Sequence, residues 1–438
     1  MQSNVRVEEV CVSIREKLNG PSPSQSKCCI FRVHGELRNV NKTAYEPKII
    51  AIGPYHRSTI TLQATNKYKL HYFQLLLEQK KEITVEKYVD AMRLLEEDTR
   101  KCYGEPIGVN ENELVEMMNE NELVEMMVLD GCFIIELIRK FVDSSLRDEH
   151  DPIFPMDWIV NSLQRDLMLF ENQLPFFVLR KLFYMIDAKP DDSRFINLAL
   201  DFFRDLLPVH RKSIEGSSPK NAKHLLGLIH SYWLPSFAGN VTSEKFAANN
   251  KNCQSIHCAT ELREAGIQFV KNEECSLFDI KFENGVIHML PLIIEDRTET
   301  LFRNLIAYEQ YGKDEDFKYY VTNYVEFLDN LIDSSNDVGI LCRRKIIENW
   351  LGDDEVVSNI FNKITDAVTR TNNDFHYAEI FAKVNIHCNK RRNRWIAKLR
   401  RNYLNSPWGI ISIAAGFILL LLTFTQTFFT VVPKWALD

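Results

Sequence analysis

The sequence predicts a mainly α protein: one large helical domain with a small β-hairpin element, and one C-terminal transmembrane helix. Three observations carry this reading. Apolar residues recur at spacings of three and four over long stretches, which is the period of a helix with one buried face. One short segment alternates instead, Phe278, Ile280 and Phe282 against Asp279 and Lys281, and then meets Asn284-Gly285, a tight-turn dipeptide. Near the end, residues 406–432 carry no charge, and Trp408 to Val432 is dominated by Ile, Leu, Phe, Val, Ala and Gly.

From the N-terminus, residues 1–27 close on Gly20-Pro21-Ser22-Pro23-Ser24 and read as a flexible lead-in. Residues 28–388 form the predicted globular domain. Ile30, Phe31 and Val33, then Ile49, Ile50 and Ile52, are short apolar runs before Gly53-Pro54 and read as extended segments. Two amphipathic helices are expected before Cys102, one burying Leu70, Phe73, Gln74 and Leu77, the other Tyr88, Met92, Leu95 and Thr99.

The nonapeptide NENELVEMM occurs at 110–118 and again at 119–127. Nine residues of helix turn through about 900°, half a turn out of phase, so the two copies cannot bury the same face of one straight helix. The second copy leads directly into Val128, Leu129, Phe133, Ile134, Leu137 and Ile138 and is read as the native helix, the first as an insertion in the preceding loop. Leu163, Leu167, Phe170 and Leu174 make another buried face, followed beyond Pro175 by Phe176, Phe177, Leu179, Leu182 and Phe183. Further helices are expected over 196–207, 222–234, 298–311, 319–334 and 343–351.

Residues 389–407 form a basic collar: Lys390, Arg391, Arg392, Arg394, Lys398, Arg400 and Arg401 contribute +7 with no acid among them. Removing that +7 from the net charge of -7 leaves -14 on the rest, which argues against a nucleic-acid binder. The 25 positions from Trp408 through Gly416 to Val432 would cross about 30 Å of hydrocarbon, with residues 433–438 as a short tail. Thr423, Thr425, Gln426 and Thr427 make the distal half more polar, with hydroxyls able to bond back to helix carbonyls. MQSNVRVEEV is not a signal peptide, and basic residues flank the span on its N-terminal side. A tail-anchored, single-pass protein of the plasma membrane or an endomembrane is therefore expected, with its large domain in the cytosol, its cysteines reduced, and the bilayer and unidentified proteins as partners.

Several collinear motifs carry a family resemblance. They are Ile52-Gly53-Pro54-Tyr55-His56 after Ala44 to Pro47, the stretch from Leu129 through Asp130 and Gly131 to Glu136, and Leu169-Phe170-Glu171-Asn172-Gln173-Leu174-Pro175-Phe176-Phe177. Ala259-Thr260-Glu261-Leu262 and Asn304-Leu305-Ile306-Ala307-Tyr308-Glu309-Gln310 complete the set. Over nearly its whole length the chain resembles the plant family called domain of unknown function 247, or uncharacterised protein family 0481; the duplicated nonapeptide is the departure. The resemblance implies single-span plant membrane proteins with no established activity or cofactor, some of them in grasses implicated in self-incompatibility recognition, others tied to growth or stress.

Read on their own chemistry, Asp130, Glu136, Glu171, His56 and Glu309 can be drawn as an acid–base set. Carboxylates at apolar helix edges more often cap helices or bond buried backbone. Cys253, His257 and Cys258 fall short of the four ligands of a structural zinc unless Cys275 joins them. No phosphate-cradling, nucleophile-elbow or zinc-protease motif is present. The expectation is a non-catalytic recognition or signalling module with no cofactor, metal or nucleic acid; the alternative is a membrane-bound enzyme built on Asp130, Glu136 and Glu171.

Overall fold

A computed structural model describes residues 28–104, 118–206, 222–233, 255–273, 277–312, 319–369, 375–390 and 407–431. The lead-in, most of the first nonapeptide copy, Cys253, Cys275, the collar from Arg391 onward and the tail lie outside the described residues. The chain divides into two compact units. The first holds residues up to 239 with 295–325 and 363–370, the second 240–294, 326–362 and the rest.

The first unit is built around the Glu120–Val142 helix. Its start is written in the sequence: Asn119 accepts the Glu122 amide at 3.0 Å while Glu122 accepts the Asn119 amide at 3.1 Å, a reciprocal capping box. The second nonapeptide copy thus opens the native helix, as its phase implies. From Met126 to Leu137 nearly every side chain is buried, and a helix apolar all round belongs at the centre of a core. The helices Asn66–Gln79, Val85–Arg93, Phe176–Ile186 and Asp192–Phe202 pack around it. Gly131 makes room for the Phe176–Ile186 helix, since a Cβ there would lie 2.3 Å from Leu182 Cδ1.

Local readings shift in two places. In the Asn66–Gln79 helix the buried face is Lys69, Tyr72, Phe73 and Leu76, one step off the predicted Leu70, Phe73, Gln74 and Leu77, and Leu70 is exposed. Lys69 turns inward because its ammonium has buried partners. Residues 30–33 and 49–52 form no strand; Ile30 alone makes an isolated parallel bridge with Tyr103.

In the second unit, β2 (Lys281–Glu283) and β3 (Val286–Met289) form the expected antiparallel hairpin, with Asn284 and Gly285 at φ 51° and 81°. β1 (Gln268–Lys271) pairs in parallel with the other edge of β3, and β4 (Leu292–Ile294) pairs in parallel with β5 (Ile347–Asn349). No helix runs over 343–351. The helix is Ser335–Arg343, Lys345 ends it at φ 57°, and β5 follows, because the run of Ile346 and Ile347 is completed by a strand partner that no local pattern reveals.

The C-terminal helix is Pro407–Val431, with side chains described without interruption over 414–430. Among the described residues no helix is long and apolar enough to cross a membrane. The distal half of the C-terminal helix holds Gln426 and four threonines, Thr423, Thr425, Thr427 and Thr430, whose hydroxyls bond back to carbonyls one turn earlier. The expected transmembrane helix over Trp408–Val432, and the single-pass placement in a membrane with a cytosolic domain, are corrected accordingly: absence of charge over 406–432 was taken for an uninterrupted span.

Candidate functional site

The motif from Glu171 to Pro175 forms a corner of the first unit, where the Asp157–Asp166 helix ends and the Phe176–Ile186 helix begins. The last carbonyls of a helix have no partner within it. Side chains of the corner itself supply them: Asn172 Nδ2 donates to Asp166 O at 3.0 Å, and Gln173 Nε2 to Leu167 O at 2.6 Å and Leu169 O at 2.8 Å. Pro175 then precedes the next helix and gives its carbonyl to the Val178 amide.

Gln173 Oε1 accepts Leu226 N at 3.2 Å, and the other polar atoms of the corner face the chain on either side of two short helical stretches, Gly35–Val40 and Lys42–Tyr45. Asp166 accepts the amides of Lys48, Ile49 and Ile50, the shortest at 2.7 Å. Asn172 Oδ1 accepts Ile52 N at 2.6 Å and its Nδ2 returns to Ile50 O at 3.0 Å. Glu171 accepts Val33 N at 2.8 Å and the Arg38 guanidinium at 2.5 Å. A buried backbone without a strand partner has to satisfy its amides elsewhere, and here carboxylates and a carboxamide replace the missing ladder.

Gly53 closes the segment and is demanded twice over. Its φ is +71°, and a Cβ would sit 2.7 Å from Gln173 O. Its amide donates to Asp130 Oδ2 at 2.9 Å; Lys69 Nζ donates to Asp130 Oδ1 at 2.5 Å and to Ala51 O at 2.6 Å. Past Pro54, the Tyr55 hydroxyl donates to Ile30 O at 3.2 Å. His56 Nε2 lies 3.2 Å from Glu171 Oε2. Burial raises the Glu171 pKa, but His56, the Arg38 charge and the Val33 amide outweigh it and hold the carboxyl below its ordinary value.

Asn304 and Glu309 repeat the device from the Thr298–Gln310 helix. Asn304 accepts Phe170 N at 2.8 Å and donates to Ala44 O and Thr300 O, both at 2.8 Å. Glu309 accepts the amides of Val321 and Thr322, the Thr322 hydroxyl, and His230 Nε2 at 2.8 Å.

The three carboxylates on which the enzyme alternative rests do not converge. Glu171 and His56 meet, Asp130 is held by Lys69 and Gly53, and Glu136 pairs with Arg139. Their exposures are 1% for Glu171, 3% for Asp130 and 2% for Glu136. Leu174 is buried beside them. His257 is exposed and bonded to Glu261 at 2.6 Å, and among the described residues no three His, Cys, Asp or Glu side chains cluster as metal ligands.

Sequence reasoning missed Asp166, Lys69 and Arg38, and also a buried cluster in which Asp151 takes Lys140 Nζ at 2.9 Å and the Tyr72 hydroxyl at 3.0 Å. The one local signal was a charged residue on an otherwise apolar helix face, as at Lys69 and Lys140.

Known proteins place these motifs in context. A family model described as a plant protein of unknown function, DUF247, matches residues 30–422. A UPF0481 protein of Arabidopsis thaliana is 31% identical over 93% of this chain and 87% of its own length. A putative UPF0481 protein of the same plant is 22% identical over 91% of this chain and 89% of its own. No solved structure matches. With its buried motifs lying inside a match that spans most of its length, the chain belongs to the plant DUF247 family.

Proposed function

We propose that the protein is a non-catalytic recognition or signalling module that acts through protein partners. The observation supporting this most directly is the state of the carboxylates. Asp130, Glu136 and Glu171 are each buried and engaged by backbone amides or cations, so their chemistry goes into holding the backbone rather than into a substrate site. A general acid or base has to reach the proton it transfers, and groups buried among their own partners do not.

Proximity labelling with the intact chain in plant cells, followed by direct binding of the purified candidates, tests the reading. It expects at least one saturable partner at micromolar concentration or below. Absence of any direct partner, together with turnover of a small molecule that is abolished in a folded Glu171→Gln variant, would overturn it.

A further inference from the structure

The chain enters the first unit beside the turn 100–104. Cys29 N and Ile30 N both donate to Cys102 O, at 2.9 and 3.0 Å, and Gly104 N donates to Ile30 O at 2.8 Å. Ile30 and Tyr103 form a parallel bridge. One step back in the same register, Cys29 stands opposite Cys102 on a shared face. Neighbouring strands lie about 4.8 Å apart, inside the Cα separation of about 4.4–6.8 Å that a disulfide spans. Both side chains are buried, and Cys102 Sγ donates to Asp98 O at 3.3 Å. Cys28 is engaged differently, its Sγ donating to Lys101 O at 3.2 Å. Gly104 fixes the approach, since a Cβ there would fall 2.0 Å from the Phe31 ring.

We propose that Cys29 and Cys102 are a reversible oxidation site, closing to a disulfide that staples the entry segment to the 100–104 turn when a peroxide oxidant is present. One thiolate attacks a peroxide oxygen, the O–O bond breaks, and a sulfenic acid and hydroxide result. The second sulfur attacks the first, the S–O bond breaks and water leaves. Two thiols are oxidised and one hydrogen peroxide becomes two waters. The neighbouring Cys102 thiol, then burial, push the Cys29 thiol above its ordinary pKa, so little thiolate is present at neutral pH and closure is slow there, accelerating as pH rises.

The reduced full-length chain is treated with hydrogen peroxide at pH 8, alkylated with iodoacetamide, and digested with trypsin without reduction. Cleavage after Lys27 and Lys101 releases the peptide of Cys28 and Cys29 and the peptide from Cys102 to Arg139; because the latter also holds Cys132, fragmentation of the joined pair and a Cys102→Ser variant, which should lose the link, identify the sulfur. These two peptides are expected to be joined, in the wild type and in Cys28→Ser, and not in Cys29→Ser. The oxidised wild type is expected to melt about 5–10 °C above the reduced form, with dithiothreitol reversing the shift. Alkylation of both sulfurs after oxidation, loss of the link in Cys28→Ser, or a link between two chains would overturn the assignment. Should Cys29→Ser fail to fold, the wild-type and Cys28→Ser maps still decide.

Discussion

The two units solve the same backbone problem with different means. In the first, the segment from Val33 to Gly53 has no strand partner, and its amides go to Glu171, Asp166, Asn172 and Asp130, side chains that lie 77 to 138 positions away in sequence. In the second, satisfaction is mostly local: a hairpin closed by Asn284-Gly285, short parallel ladders, and a capping box in which Ser334 and Asp337 serve each other. Even there Asp337 adds one distant partner, accepting Thr260 N at 2.7 Å. A ladder shares its hydrogen bonds over many residues, whereas a single carboxylate that takes three amides concentrates them in one side chain. The first unit should accordingly be far more sensitive to single polar substitutions.

Asp166→Ala gives the largest expected effect. It strips the acceptor from three backbone amides at about 1–3 kcal/mol each and removes the carboxylate beside buried Arg165. That sum rivals a whole domain stability of about 5–15 kcal/mol, so urea titration followed by circular dichroism should find the first unit unfolded or nearly so at 25 °C. Stability within 1 kcal/mol of wild type, by the same method, would erase the contrast between the units. Asn172→Ala and Asn304→Ala come next, each costing about 2–4 kcal/mol of unfolding free energy in urea titration because donors and acceptors are orphaned together.

The pH dependence sharpens the comparison further. His224 in the first unit is buried, accepts Gly227 N on Nδ1 at 3.1 Å, and has its pKa pushed by burial down from 6.5 to about 3. The folded state therefore holds it neutral while the unfolded chain protonates it. Its contribution is complete above pH 6.5 and falls by about 1.4 kcal/mol for each pH unit below that, down to about pH 3. Urea midpoints of wild type and His224→Asn between pH 7 and pH 5 should show the wild type with the steeper loss; equal slopes would contradict the neutral buried imidazole. Smallest is Ser334→Ala in the second unit, which removes one N-cap and should cost about 1 kcal/mol in thermal unfolding.

The same division explains what could be read from the sequence. The Glu120–Val142 helix was legible because the second nonapeptide copy runs directly into Val128, Leu129, Phe133, Ile134, Leu137 and Ile138, and the β2–β3 hairpin because Asn284-Gly285 supplies both positive φ angles locally. The polar motif around Glu171 was legible as structural chemistry at a helix junction. Its partners were not, since nothing near Asp166 points to Ile50, and nothing near Asp130 points to Gly53 or Lys69. The helix expected over 343–351 failed for the same reason, β5 being defined by its pairing with Leu292–Ile294. At the C-terminus, an uncharged run was read as a span although five polar positions divide the described stretch.

The central claim is that side chains of the corner hold an irregular backbone as firmly as a sheet would. Native-state amide hydrogen exchange over Val33 and Lys48 to Gly53 tests it directly. Protection approaching that of the Glu120–Val142 helix is expected, because opening these amides requires losing the buried carboxylates and carboxamide that hold them. Exchange as fast as that of an unstructured peptide, in a chain whose central helix stays protected, would contradict it.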